Sequence, residues 1–303
     1  MQPSPAEVAR TLAAGHLSGS LQVAYRPGPY PVRHATDGQG GVLLLVSIVS
    51  DLGLALRPVS ASDAAAVVLD VRDLPPAAGA PPLGRVRVSG WARRLGGDES
   101  RQAALAFADV DPTGDLLEVG TRFLLHRFDA AEVRLERAGR TIDIDPKEYT
   151  EAEADPLHRI ERDLLTDLAE HHEPEITRFI RRQFGSHAPP AEAGGPPPRV
   201  VRLDRYGLVV ALGGHAPPSR ARLAFPRPMR DHADLVRFLH PVICRRAGAV
   251  PGTPTTLPAG GPGTAGALDP VDSVEQFDSP GEVAGDVALH GRRDRGDHGL
   301  GRG

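Results

Sequence analysis

Gly84-Arg85-Val86-Arg87-Val88-Ser89-Gly90-Trp91-Ala92-Arg93 sets Val86, Val88 and Gly90 against Arg85, Arg87 and Ser89. Successive strand side chains point to opposite faces, so this stretch reads as a strand with one wet face, as in an antiparallel sheet. Upstream, Ala64 to Val71 and the wholly apolar Gly41 to Ser47 supply two more strands. Ser20 to Tyr25 and Pro31 to Thr36 form a further pair, joined across Pro27-Gly28-Pro29. A helix opens the chain at Ser4 or Pro5: Val8, Leu12 and Ala13 follow helical spacing, Ser4 with Glu7 matches a capping box, and Gly15 ends it. Downstream, Ala103, Ala104 and Phe107 share one face of a helix over Glu99 to Ala108, stopped by Asp111-Pro112. Strands over Arg122 to Phe128, Ala131 to Arg137 and Thr141 to Ile144 complete a mostly antiparallel meander within residues 1–150.

From Asp155 the period becomes helical, with Leu157, Ile160, Leu164, Leu165 and Leu168 recurring at three and four residues. A second helix covers Glu175 to Phe184 and ends at Gly185, followed by a Pro/Gly/Ala loop over Ser186 to Pro198. Three strands follow, Val200 to Asp204, Gly207 to Leu212 and Arg220 to Phe225, then a helix over Asp231 to Arg246 with Leu235, Phe238, Leu239, Val242 and Ile243 on its apolar side. Residues 155–246 therefore read as a small α/β domain in the order helix, helix, three strands, helix. Residues 249–303 are rich in Gly, Pro, Thr and Asp without periodicity, which predicts a disordered tail.

At 303 residues and 40% hydrophobic content the chain can build two cores, and with 4% aromatics those cores must be aliphatic. A net charge of -4 with both signs interspersed gives no general attraction to nucleic acid or to an anionic membrane. The run Gly41 to Val49 is far short of the roughly 20 residues a membrane-spanning helix needs, and Met1 to Arg10 lacks a signal-peptide pattern. Cys244, the single cysteine, has no intrachain partner, so a cytoplasmic location is expected.

Three stretches carry a family likeness: Leu168-Ala169-Glu170-His171-His172, Val201-Arg202-Leu203-Asp204-Arg205-Tyr206-Gly207-Leu208, and Leu223-Ala224-Phe225-Pro226-Arg227-Pro228. Over residues 155–246 the sequence resembles the small domain of unknown function that follows the split barrel in haem-utilisation proteins and in chloroplast proteins that bind glutamyl-tRNA reductase. That family's first segment reads Leu-Asn-x-Asp-His, which puts His172 on the family histidine, with Ala169 and His171 in place of Asn and Asp. In its order of helix, strands, helix and strands, residues 5–145 resemble the barrel of pyridoxamine-phosphate-oxidase-like flavoproteins. The resemblance implies an α+β fold, an FMN-binding-type split β-barrel followed by the small α/β domain. It implies a haem-binding or haem-utilisation role exercised by ligand binding, and a homodimer through the barrel. An FMN-dependent oxidoreductase is the first alternative, with Arg57, Arg93 and the hydroxyls of Ser47, Ser50, Ser60 and Ser62 as phosphate holders. A regulatory module that binds a tetrapyrrole-pathway enzyme is the second.

Haem iron takes an imidazole donor in an apolar pocket with cations near the propionates. Among 12 histidines, His126 within Phe123-Leu124-Leu125-His126-Arg127-Phe128 can face a cavity while Arg127 points the other way; the competing reading is a hydrogen-bonded or surface strand histidine. The same pair of readings holds for His34. His172 with His171 equally suits the end of a helix, where the macrodipole favours positive charge. Arg178, Arg181 and Arg182 share a helix face that reads as solvated, Arg93-Arg94 at a strand end reads either as an anchor for an anionic cofactor or as ordinary surface arginines, and Trp91 reads as packed against the barrel. No HExxH or CxxC spacing points to a metal site, no Gly-x-Ser-x-Gly elbow to a hydrolase, and Gly38-Gln39-Gly40-Gly41 precedes a strand and is a turn. The sequence assigns no catalytic residue.

Overall fold

The computed structural model describes residues 1–57, 64–184, 197–212 and 219–243 and the backbone of 274–277. Gly185, the loop up to Pro196, Ser60, Ser62, Cys244 with the expected end of the last helix, and the rest of the tail lie outside the described residues. Strands β1 (Gly19–Val23), β2 (Tyr30–Thr36), β3 (Val42–Ser47), β4 (Ala64–Arg72), β5 (Arg85–Arg94) and β6 (Phe123–Phe128) close into an antiparallel barrel in the order β1-β2-β3-β6-β5-β4. β7 (Ala130–Arg137) and β8 (Arg140–Ile144) extend the sheet from β5.

Closure depends on β5. One of its edges pairs with β4 from Arg85 to Arg93, while the other serves β7 over Arg85 to Gly90 and β6 only at Arg93 and Arg94. The change of partner is accommodated at an irregularity between Ser89 and Gly90. A Cβ on Gly90 would lie 2.3 Å from the Asp129 carbonyl oxygen and 2.7 Å from the Phe128 ring. Gly90→Ala should therefore overpack the split and lower stability by about 1–3 kcal/mol. A wild-type urea midpoint for this variant would show that the strand yields there.

Helix α1 (Pro5–Ala13) keeps the expected capping box, and its Val8, Ala9 and Leu12 enter the barrel core beside Leu21, Leu44, Leu69 and Val88. β3 is buried on both faces because α3 (Gly97–Val110) covers its outside, with Phe107 against Leu43, Leu45 and Leu125. That double burial accounts for its uninterrupted apolar run. Trp91 differs from expectation: it projects from the outer barrel face and is 63% exposed. Two further helices went unforeseen, α2 (Asp51–Ala55) and α4 (Pro146–Glu151).

In the second half, a 3-10 turn at His158–Ile160 precedes α5 (Glu161–His171), so the helix begins later than the apolar period alone indicates. α6 spans Glu173–Phe184 and holds Pro174 in its first turn, where the missing N–H costs nothing. Strands β9 (Arg199–Asp204), β10 (Gly207–Ala211) and β11 (Arg220–Ala224) form a second antiparallel sheet, followed by α7 (His232–Ile243). The tail contributes a fourth strand, β12 (Val274–Phe277), paired with β11; at those residues the expected disorder is replaced by strand pairing.

The cross-strand rows of this sheet divide its labour. Leu203, Leu208 and Leu223 are direct neighbours and join the core with α5, α6 and α7. The adjacent row is Arg202, Val209 and Arg222, and Val209 packs with Ala80 of the β4–β5 connection. Arg202 is 3% exposed. It forms a two-pronged pair with Asp73 (2.7 and 3.0 Å), reaches Glu161 at 3.2 Å and donates to the Pro81 carbonyl at 2.7 Å. Glu161 also accepts the Leu203 N–H at 2.9 Å, and Asp73 accepts the Leu83 N–H at 2.7 Å. Asp73 immediately follows β4 and Glu161 begins α5, so a single guanidinium ties the barrel, the second sheet and its first helix. Glu7 of α1 bonds Tyr206, and Arg222 bonds both Asp204 and the Met1 carbonyl.

Candidate functional site

α1 covers one end of the barrel, and the other end opens between β3, β5 and β6. Across that wall His34, Leu44, His126 and Arg94 are direct cross-strand neighbours, on β2, β3, β6 and β5 respectively. Leu44 belongs to the barrel core, so the row faces the lumen. His126 is 5% exposed, and its Nδ1 has no hydrogen-bond partner. Burial first, and then the nearby Arg94 guanidinium, push its pKa down to about 4. The imidazole is thus neutral at pH 7 and keeps a lone pair.

His126 lines a cleft of about 690 Å3 whose apolar wall includes Ile48, Leu56 and Leu124. Arg57 and Arg94 also line it. A volume of this size falls within the range of small-molecule sites. α2 brings Arg57 there: Ser50 caps the helix by accepting the Gly53 N–H at 3.0 Å, Leu52 and Ala55 anchor it in the core, and the chain leaves at Leu56 toward the cleft. Neither Arg57 nor Arg94 has a carboxylate partner among the described residues.

Of the residues singled out from sequence, the structure therefore brings together His126, Arg57 and, from the Arg93-Arg94 pair, Arg94. Arg93 points to the opposite side of β5 and forms a two-pronged ion pair with Glu99 of α3, 2.9 Å at its longer contact. Ser50 spends its hydroxyl on the α2 cap and the Ser47 carbonyl. His34 is 2% exposed, and neither ring nitrogen has a partner. Its ring fills the space that a side chain at position 19 would need, since a Cβ on Gly19 would lie 2.7 Å from its Nδ1. Burial lowers its pKa to about 4. His34 is consequently a lumen residue one strand removed from His126 and is not part of the cleft lining. His172 follows α5 in the second half, with Nε2 3.8 Å from Asp167, and takes no part in the cleft. Arg127 lies over Gly41 and pairs with Asp37 at 3.1 Å.

The alternation that picks out the strand also separates the pair, because Arg94 shares the inward face with Gly90 and Ala92 and Arg93 does not. The carboxylates that engage Arg202 carried no local signal. Among the described residues no helix is long and apolar enough to cross a membrane, and no three His, Cys, Asp or Glu side chains gather as a metal-ion site.

Among solved structures, the chain is similar to a haem-binding protein from Mycobacterium smegmatis, at 22% identity and a TM-score of 0.55 over 80% of this chain and 97% of that one. A protein of unknown function from Agrobacterium tumefaciens aligns over 80% of this chain and 98% of its own, at 17% identity and a TM-score of 0.36. An FAD-binding protein from Mycobacterium smegmatis aligns over 47% and 98% respectively, at 15% identity and a TM-score of 0.31. No protein-family model and no curated protein matches the sequence. At 22% identity the first likeness carries the fold alone.

Proposed function

We propose that the protein binds a haem-type tetrapyrrole at the open end of the barrel, with His126 as the iron ligand and Arg57 and Arg94 as counterions to the two propionates. The observation that carries this reading is the neutral His126 imidazole, largely buried and without a partner at Nδ1, lining a cleft of about 690 Å3. The residues fit such a group chemically. An imidazole that is not protonated can ligate iron, apolar Ile48, Leu56 and Leu124 suit the macrocycle, and unpaired guanidiniums suit carboxylates. The fold shared with a haem-binding protein agrees with the reading.

A flavin phosphate needs several donors converging on one point. Here Arg93 is committed to Glu99 and Ser50 to its cap, so among the described residues the FMN alternative retains Arg57 and Ser47 of the holders named from sequence. A second copy of the chain is the natural cover for the outer barrel face that presents Trp91, which supports a homodimer through the barrel.

An absorbance titration tests the assignment. Haem should give a saturable Soret shift near one per chain, and His126→Ala should weaken binding by about tenfold or more while leaving the folded spectrum intact, since even the outer partners of a metal ligand are worth that much. Unchanged spectra and affinity in that variant would remove His126 from the site. Saturation by FMN with no response to haem would move the assignment to flavin chemistry, and a protein that ignores both would be better read as a partner of a tetrapyrrole-pathway enzyme.

A further inference from the structure

β5 ends at Arg94, and after Leu95 the chain turns into α3, whose N-cap position is Gly96. The Leu95 N–H donates to the Leu125 carbonyl at 2.8 Å, which fixes the start of the helix against β6. Leu95 and Gly96 line the same cleft as His126, Arg57 and Arg94. The amino-terminus of a helix of 14 residues therefore meets the rim of the cleft.

An α-helix leaves its first N–H groups without intrahelical partners and carries partial positive charge there. In α3 the first helical bond runs from the Ser100 N–H to the Gly96 carbonyl at 3.3 Å, so the N–H groups of Gly97, Asp98 and Glu99 precede it. No side chain caps the helix. The approach is open, because a Cβ on Gly96 or Gly97 would meet nothing within 4 Å. Gly97 adopts a φ of +52°, which glycine favours. The two acids of the first turn are engaged with cations of their own, Glu99 with Arg93 and Asp98 with Arg101 at 2.7 Å.

Two observations independent of the helix point to a ligand at this place. His126, directly across from Arg94, is 5% exposed and lines the cleft with Nδ1 unpartnered. Among the described residues that line the cleft, Arg57 and Arg94 bring positive charge and no Asp or Glu is present. Two guanidiniums, a helix amino-terminus and no acid make the cleft an environment for negative charge.

We propose that the amino-terminus of α3 seats an oxyanion of the ligand, a carboxylate or a phosphate, between its first-turn N–H groups and the Arg94 guanidinium. The seat deepens the ligand-binding reading of the cleft and rests on it. Arg57 reaches the cleft from α2, and Arg94 with the helix terminus from the end of β5, so the ligand meets two separate cationic points. A ligand with two anionic groups is then gripped unequally, one by a side chain alone and the other by a side chain and backbone together.

The test is an amide NMR titration of the full chain with inorganic phosphate and, separately, with propionate, at constant ionic strength. The Gly96, Gly97 and Asp98 signals should shift saturably. Saturation by propionate identifies a carboxylate seat, and saturation by phosphate alone a phosphate seat. Asp98→Ala removes the carboxylate, and Asp98→Pro removes the N–H as well at a first-turn position where proline is tolerated. Binding should be about tenfold weaker in Asp98→Pro than in Asp98→Ala, the order of one hydrogen bond to a charged group. Signals that stay put with both anions, or equal affinities in the two variants, would overturn the seat. The wild-type titration decides the matter even if Asp98→Pro fails to fold. Both probes lack iron and a macrocycle, so a failed seat leaves haem ligation by His126 standing, and a protein that ignores haem can still show the seat.

Discussion

Arg202→Ala should cost about 3–5 kcal/mol, the expected penalty when one member of a buried ionic cluster is removed and its partners stay buried. In this variant Asp73 and Glu161, with side chains 0% and 2% exposed, would face each other across the space left by the guanidinium. The Pro81 carbonyl would lose a donor as well. The loss should register in both halves, because the cluster joins the end of β4 to the start of α5. Urea unfolding followed separately through Trp91 in the barrel and through far-ultraviolet circular dichroism would show two displaced transitions. A wild-type midpoint by both signals would mean that solvent enters the junction and screens the two acids. Replacing Arg202, Asp73 and Glu161 together by well-packed apolar residues should be far milder than Arg202→Ala, since it strands no charge.

Acidification should produce the second large effect, and His34 is its principal source. Its pKa is about 4 in the folded barrel against 6.5 for the free side chain. The unfolded chain therefore binds the proton first as pH falls. The stabilisation is fully present above pH 6.5 and is lost progressively down to about 4, reaching roughly 2 kcal/mol by pH 5 and about 3 kcal/mol at the end of the interval. His126, lowered to about the same value, adds a loss in the same interval. Asp155 acts with the opposite sign and offsets part of it, because its raised pKa makes folding more favourable below about 6. His34→Leu keeps an apolar group of similar size in the lumen and removes one titration. The stability difference between pH 7.5 and pH 5 should then shrink by about 2 kcal/mol relative to wild type. An identical acid profile in the variant would show that water reaches the His34 ring.

The elements with a strong local signature were legible in the sequence. Alternation in β5, the apolar run of β3 and the capping box of α1 each come from neighbours in the chain, and the structure places all three within a residue or two of the reading. α4 carried a signal that could have revealed it, an Asp145 cap followed by Pro146 at the first helical position. α2 is five residues long, too short for an apolar period to appear. β12 consists of four residues whose pairing partner lies more than fifty positions earlier, so composition alone suggested disorder.

The site was half legible for a related reason. His126 stood out because an imidazole in an apolar strand is chemically conspicuous, but whether it was hydrogen-bonded depended on β3 and β5, which pair with it from distant parts of the chain. Arg93 and Arg94 are adjacent and chemically equal, and only the inward or outward sense at the end of β5 separates a cleft residue from the partner of Glu99. The Arg202 cluster was invisible because Asp73 lies 129 positions away and Glu161 41.

The contacts of α1 also bear on the order in which the molecule can be assembled. Glu7 finds Tyr206 across 199 positions of sequence, and Thr11 finds Asp155 across 144. During synthesis the first helix leaves the ribosome before either partner exists, so the barrel can collect its walls early while the helix that plugs it waits for the second sheet. Contacts so distant in sequence slow the final step of folding.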